Sequence, residues 1–185
     1  MQIKISVVIP CYNSEEFIAN TFESLLSQTI YPDEIIMIDD GSIDNTVNVV
    51  RNIKNKYKDK IDLSIIESEH LGPGNARNIG IKKAKYDWIS FLDSDDLWEK
   101  NKIQYVKNII SENHSFNFFC HNEKVIKGNK IFVNNYSKKF QRESNLFDQL
   151  YIKNLFSTSA VTCKKSLFFK YGFFRKDFSS AQDYE

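Results

Sequence analysis

Phe91-Leu92-Asp93-Ser94-Asp95-Asp96 decides how this chain is read. The apolar run Trp88-Ile89-Ser90-Phe91-Leu92 is short and rich in aromatic and β-branched residues. It reads as a buried strand that delivers three carboxylates to the end of a sheet. Like charges this close repel one another, and a cation relieves the repulsion. Oxygen-only ligands suit a hard ion, Mg²⁺ or Mn²⁺, which holds substrate phosphates together with protein carboxylates. A polar turn with Asp96 capping the next helix accounts for the same residues equally well, because Asp and Ser are ordinary turn and N-cap residues.

Upstream, the sequence alternates strands and helices. Ile3 to Ile9 is the first strand, ending at Pro10, whose missing N–H suits a strand terminus. The unbroken Val7-Val8-Ile9 points to a strand covered on both faces, as in a parallel sheet. Asn13 or Ser14 is placed to cap a helix with Glu15 and Glu16 in its first turn and Phe17, Ile18, Phe22, Leu25 and Leu26 on its buried face. Glu34 to Ile38 is the second strand, leading into Asp39-Asp40-Gly41-Ser42; Asp44-Asn45-Thr46 caps the next helix. Leu63 to Ile66 is a third strand, Gly72 to Asn75 a loop of small residues, and a helix runs from about Ala76 to Ala84. This order predicts an α/β fold with a parallel sheet. Ligands of such sheets bind beyond the carboxyl ends of the strands. Tyr12, Asp39-Asp40, the Gly72 to Arg77 loop and the acid cluster all fall there, so one crevice is expected to gather them.

Downstream, the pattern is less regular. Ile103 to Ile110 reads as a helix, Phe116 to Cys120 as a strand, and Val125 to Val133 as a hairpin turning at Gly128-Asn129. Leu146 to Leu155 reads as a helix, and Ser166 to Tyr171 as a short one closed by Gly172.

Composition narrows the class. With 25 basic and 24 acidic residues the net charge is +1, so nothing in the total points to nucleic acid. No apolar run approaches the roughly 20 residues of a membrane-spanning helix, and the N-terminus enters a strand, so a cytoplasmic chain is expected. Cys11, Cys120 and Cys163 are too few and too scattered for a disulfide framework or a zinc site, and are expected as reduced thiols. The chain ends at Gln182-Asp183-Tyr184-Glu185 without a charged tail or a Gly/Pro break, so a C-terminally cut chain is expected.

Individually the motifs are ambiguous. Tyr12 either stacks on a base or is a core aromatic at a strand exit. Asp39 either accepts a hydrogen bond from the imide of uracil or is a turn acid beside Gly41. Gly72-x-Gly74-Asn75-Ala76-Arg77-Asn78-x-Gly80 is not the dinucleotide fingerprint, because its third glycine is out of place. Arg77 carries a permanent charge able to face a nucleotide or the crevice acids. His70, His114 and His121 show no metal or triad spacing, and nothing in the sequence activates Cys11 as a nucleophile.

Taken together, Val7-Val8-Ile9-Pro10-Cys11-Tyr12-Asn13, Ile38-Asp39-Asp40-Gly41-Ser42-x-Asp44, the Gly72 to Gly80 motif and Phe91 to Asp96 resemble the family 2 inverting glycosyltransferases of GT-A fold. The likeness is dense over the first hundred residues and returns at Gly172-x-Phe174 and Gln182-Asp183-Tyr184. It implies one GT-A domain over 1–185, with residues 1–98 as the nucleotide-sugar half and 99–185 as the acceptor half. It further implies a UDP-sugar donor and a Mn²⁺ or Mg²⁺ cofactor. Pro10, Tyr12, Asp39, Arg77 and Asp93 would bind the donor, Asp95 the metal, and Asp183 would be the general base. Asp40 and Asp96 are further candidates in the same region, without an assigned role. Gln182 stands where relatives often carry a second acid. The acceptor would be a glycan or a lipid-linked hydroxyl, with membrane association through a missing C-terminal segment. A donor-binding module without transfer and a sugar nucleotidyltransferase are the competing readings. The latter lacks its Gly-rich, Arg/Lys-bearing signature after the first strand.

Overall fold

The computed structural model describes residues 2–139 and 156–175. A six-stranded sheet runs in the order β3-β2-β1-β4-β8-β5. Its parallel part is β1 (Ile5–Cys11), β2 (Glu34–Asp39), β3 (Leu63–Glu67) and β4 (Trp88–Phe91). Helices α1 (Ile18–Leu26), α2 (Thr46–Tyr57) and α3 (Pro73–Lys83) connect these strands. Every residue of β1, β2 and β4 is buried, as their unbroken apolar runs predict for strands covered on both faces. Alternate side chains feed two cores. Val7, Ile9, Ile35 and Met37 meet α1 and α2, while Val8, Ile36 and Ile38 meet the Ala76 and Ile81 face of α3.

Several boundaries differ from the sequence reading. Pro10 lies inside β1, opposite Ile38, and does not end the strand. Alternate residues bond to opposite neighbours, with the Val8 carbonyl accepting from Leu92 and the Cys11 carbonyl from Asp40. Pro10 therefore faces the β4 side, beyond the last β1–β4 pair at Val8 and Phe91, and its missing N–H costs no ladder bond. Helix α1 begins at Ile18, not after Asn13 or Ser14; the Ser14 carbonyl closes a preceding turn by accepting from the Phe17 and Ile18 N–H groups. Helix α3 begins at Pro73, three residues early, because Gly72 takes φ 90° ahead of a proline preset for the first helical position. Gly80 lets this helix lie against the sheet, since a Cβ there would come within 2.5 Å of Val8 Cγ1.

After β4 come α4 (Lys102–Glu112), β5 (Phe118–Cys120), and the hairpin β6 (Glu123–Lys127) and β7 (Lys130–Asn134), which turns at Gly128-Asn129 as expected. One turn of helix follows as α5 (Tyr136–Lys139). A 3₁₀ turn at Thr158–Ala160 leads into β8 (Val161–Lys164), a strand absent from the sequence reading, inserted antiparallel between β4 and β5. Helix α6 (Ser166–Tyr171) ends at Gly172, φ 116°. The expected helix over Leu146 to Leu155 and the residues around Asp183 lie outside the described residues. No described helix is long and apolar enough to cross a membrane.

Candidate functional site

Strand β1 lies between β2 and β4, so the direction in which strands are added reverses beside it. An open α/β sheet leaves its crevice at that point. A cleft of about 360 Å³ lies there, lined by Pro10 and Cys11 of β1, by Tyr12 just after it, and by Asp40, His70, Pro73, Arg77 and Asp93 to Asp95. The crevice expected from strand ends is thus present, with two exceptions: Asp39 and Asp96 do not line it.

Three elements pin the acid loop. Thr21 Oγ1 of α1 donates to the Ser94 carbonyl at 2.8 Å, Ser14 Oγ meets Ser94 Oγ at 2.7 Å, and the Asp93 N–H donates to Ser159 Oγ at 2.9 Å. Arg77, buried on α3, puts Nη2 2.6 Å from Asp93 Oδ1. The guanidinium therefore answers the crevice acids. No hydrogen bond or ion pair engages the exposed Asp95 carboxylate among the described residues. Asp96 is not a helix cap, because α4 starts only at Lys102. Burial raises its pKa, a hydrogen bond with Ser159 opposes the rise, and the charges of Asp93, Asp95 and Glu123 add to it.

Asp39 ends β2, buried, and precedes the cleft-lining Asp40. Asp39 Oδ2 accepts from the Ser42 N–H at 3.1 Å, while Oδ1 is buried without a hydrogen-bond partner among the described residues. A buried acceptor left open is costly unless something arrives to fill it. Asp40 is committed structurally: its two oxygens accept from the Leu71 and Gly72 N–H groups at 3.0 and 2.9 Å, and His70 Nδ1 lies 2.8 Å from Oδ2. Tyr12 is half exposed and stacks one face on His70, with centroids 4.0 Å apart. The Cys11 thiol is buried, its pKa raised by burial and then by Asp39, Asp93 and Asp44, so it is no nucleophile. All three cysteines are free thiols, as expected.

The sequence reading missed His70, Ser14, Thr21 and Ser159. Ser159 lies 66 residues from Asp93, and a lone serine carries no local signal. It also missed a pair near the acids, buried Lys102 and half-buried His121. Lys102 Nζ contacts His121 Nε2 and donates to the Ser159 carbonyl at 3.2 Å, 4.2 Å from the Trp98 ring centre. Burial lowers Lys102 to about 7 against the pull of Glu123 and Asp96; burial and Lys102 lower His121 to about 4.

Among the described residues no three His, Cys, Asp or Glu side chains form a group able to enclose a metal ion. Asp95 instead offers a carboxylate that is exposed and unpaired among the described residues, beside an Asp93 whose charge Arg77 shares. One or two oxygens open to a cleft make the donor set of an ion that keeps its waters and is completed by phosphates. These oxygens fit a hard divalent ion such as Mg²⁺ or Mn²⁺.

Comparison with known proteins identifies the family. The family described as Glycosyl transferase family 2 matches residues 6–177. An uncharacterized glycosyltransferase of Haemophilus influenzae is 37% identical over 140 residues, covering 73% of this chain and 54% of the relative. The poly(ribitol-phosphate) beta-N-acetylglucosaminyltransferase TarS of Staphylococcus aureus is 36% identical over 118 residues, covering 61% of this chain and 20% of the relative. A crystal structure of TarS residues 1–349 in complex with UDP superposes with TM-score 0.78 at 26% identity, covering 98% of this chain and 53% of that one. The chain spans about half or less of the length of these relatives.

Proposed function

Because the chain belongs to glycosyl transferase family 2 and has the GT-A fold of its structural neighbours, we propose that it is a metal-dependent inverting glycosyltransferase. It moves a sugar from a nucleotide-sugar, a UDP-sugar, to a hydroxyl of a glycan or lipid-linked acceptor. The work belongs to surface polysaccharide synthesis, at the cytoplasmic face of a membrane. TarS has been crystallised with UDP and with UDP-GlcNAc, which supports the choice of nucleotide.

The observation that carries the reading is an open carboxylate, Asp95 in the cleft after β4, together with an open acceptor, Asp39 Oδ1, buried at the end of β2 next to the cleft-lining Asp40. Asp39 Oδ1 accepts the ring N–H of uracil, which supplies its missing partner and selects the base. The free face of Tyr12 stacks on that base, with Pro10 beside it; His70 supports the other face. Arg77 holds Asp93 toward the ribose and sugar. Asp95 holds the divalent ion, which when bound stabilises the negative charge that grows on the β-phosphate as the sugar leaves. On the opposite face of the sugar Asp183 takes the proton of the attacking hydroxyl, and a single displacement inverts the anomeric carbon.

Thermal shift with UDP-, GDP- and dTDP-sugars, each with and without Mn²⁺, tests the donor site. UDP with Mn²⁺ raises Tm by linkage to the native state, and Asp95→Asn removes the metal-dependent part. Equal stabilisation with and without metal would overturn the role of Asp95. In the full chain, Asp183→Asn keeps UDP binding and abolishes transfer; retained turnover removes Asp183 as the base.

A further inference from the structure

The backbone of the chain running out of α6 is hydrogen-bonded to α3 through Asn78. Asn78 Nδ2 donates to the Phe174 carbonyl at 2.7 Å, and Asn78 Oδ1 accepts from the Phe174 N–H at 3.0 Å. The two residues are 96 apart in sequence, and Asn78 is 3% exposed. An amide presents a donor and an acceptor side by side, which matches the N–H and C=O of a single residue; a carboxylate can only accept, and an aliphatic side chain does neither. The Phe174 ring is fixed as well, edge-on to Phe91 with centroids 5.7 Å apart and with the Arg77 guanidinium 5.7 Å from its centre.

Arg77 and Asn78 are consecutive on α3 and hold different things. Arg77 holds Asp93 of the acid loop. Asn78 holds the strand of chain that leads, nine residues on, to Asp183, a span of at most about 30 Å when extended. We propose that Asn78 is a positioning residue: its amide clamps the Phe174 backbone beside the donor cleft and so sets the starting point of the segment that brings the base to the acceptor hydroxyl. One turn of α3 thereby ties donor binding to base placement. This inference rests on the reading of Asp183 as the base. A buried amide pair that merely stabilises the fold would lower stability and leave the chemistry of the folded enzyme alone, and that difference is measurable.

The test uses the full chain with Asn78→Asp, which keeps the size and the acceptor but sets a carboxylate against the Phe174 carbonyl, and Asn78→Ala, which removes both bonds. Both variants should keep the UDP dissociation constant within about twofold while kcat falls on the order of 100-fold, the scale of an ångström-sized misplacement at a reacting centre. Trypsin cleavage after Arg175 should accelerate in both. In the unmodified protein the Phe174 amide should exchange its hydrogen slowly by mass spectrometry. Fast exchange there, or cleavage unchanged by the variants, removes the clamp. Faster cleavage with unchanged kcat removes its positioning role, and loss of UDP binding in step with kcat makes Asn78 a structural residue of the cleft. Asp183→Asn separates the two readings: if it stays active while Asn78→Asp is slow, the base is elsewhere and the clamp stands.

Discussion

Strands β1 and β2 and the hairpin β6–β7 are made of similar residues and live in opposite surroundings. Ile5 to Cys11 and Glu34 to Asp39 are buried throughout, covered by α1 and α2 on one face and α3 on the other. In the hairpin, Ile126, Ile131, Phe132 and Val133 are 69%, 64%, 50% and 62% exposed, although they too are apolar and β-prone. The difference lies in what the neighbouring sequence supplies. Each parallel strand is followed by a helix with an apolar face that must pack back on the sheet, whereas the hairpin is joined by a two-residue turn that supplies hydrogen bonds and no cover. The cleft grows from the covered strands, where the acid loop is pinned by Ser14, Thr21 and Ser159.

Changes on the two sides should differ in scale. Ile38→Ala removes a fully buried side chain that packs on α3 and should cost about 4 kcal/mol, read as a lower urea midpoint at constant slope. A cost below about 1 kcal/mol would show that the α3 face of the sheet collapses around the gap, and the contrast between covered and bare strands would lose its basis. Gly80→Ala probes the same contact by addition. The new Cβ would meet Val8 Cγ1 at 2.5 Å and Ile38 Cδ1 at 2.7 Å, so overpacking of about 2 kcal/mol is expected by the same measurement.

The legible part of the molecule follows the same division. The four parallel strands and their helices were readable because each is encoded locally, by a run of apolar residues and a helical period, and the strand-end rule then placed Tyr12, Asp40, Arg77 and Asp93 to Asp95 around one crevice. Strand β8 was not readable, because four residues with a single threonine and a terminal lysine carry little pattern, and its place between β4 and β5 is fixed by pairing with segments far away in sequence. Ser159 and His70 escaped for a related reason. Their roles are made by tertiary contact, with Asp93 in one case and with Tyr12 and Asp40 in the other. Pro10 misled because proline is read as a strand end, while the structure needed only that its side of β1 lack a partner.

Lys102 marks the seam between the two regions, and its titration measures how dry that seam is. The unfolded chain keeps this proton up to about 10.5, and burial releases it near 7 in the folded state. Between those values the unfolded state binds more protons, so stability rises with pH by up to about 1.4 kcal/mol per unit. Below about 7 both states are protonated and this slope disappears. Subtracting the stability of Lys102→Met from that of the unaltered protein at pH 6, 7.5 and 9 isolates the contribution from the other titrating groups. The difference should rise across the upper interval; a flat difference would mean that Lys102 stays charged and the seam is wet.

The smallest effect belongs to the hairpin. Ile126 and Ile131 face one another across it, and both leave most of their surface in water. Truncating Ile131 to Ala therefore removes little buried area, and surface changes of this kind fall within about 0.5 kcal/mol. Urea midpoints of Ile131→Ala and of the unaltered protein should coincide within error, while Ile38→Ala, the same deletion in a covered strand, shifts strongly. If Ile131→Ala shifts the midpoint by as much as Gly80→Ala, the hairpin is covered in solution, and the bare strand is the half of the contrast that fails.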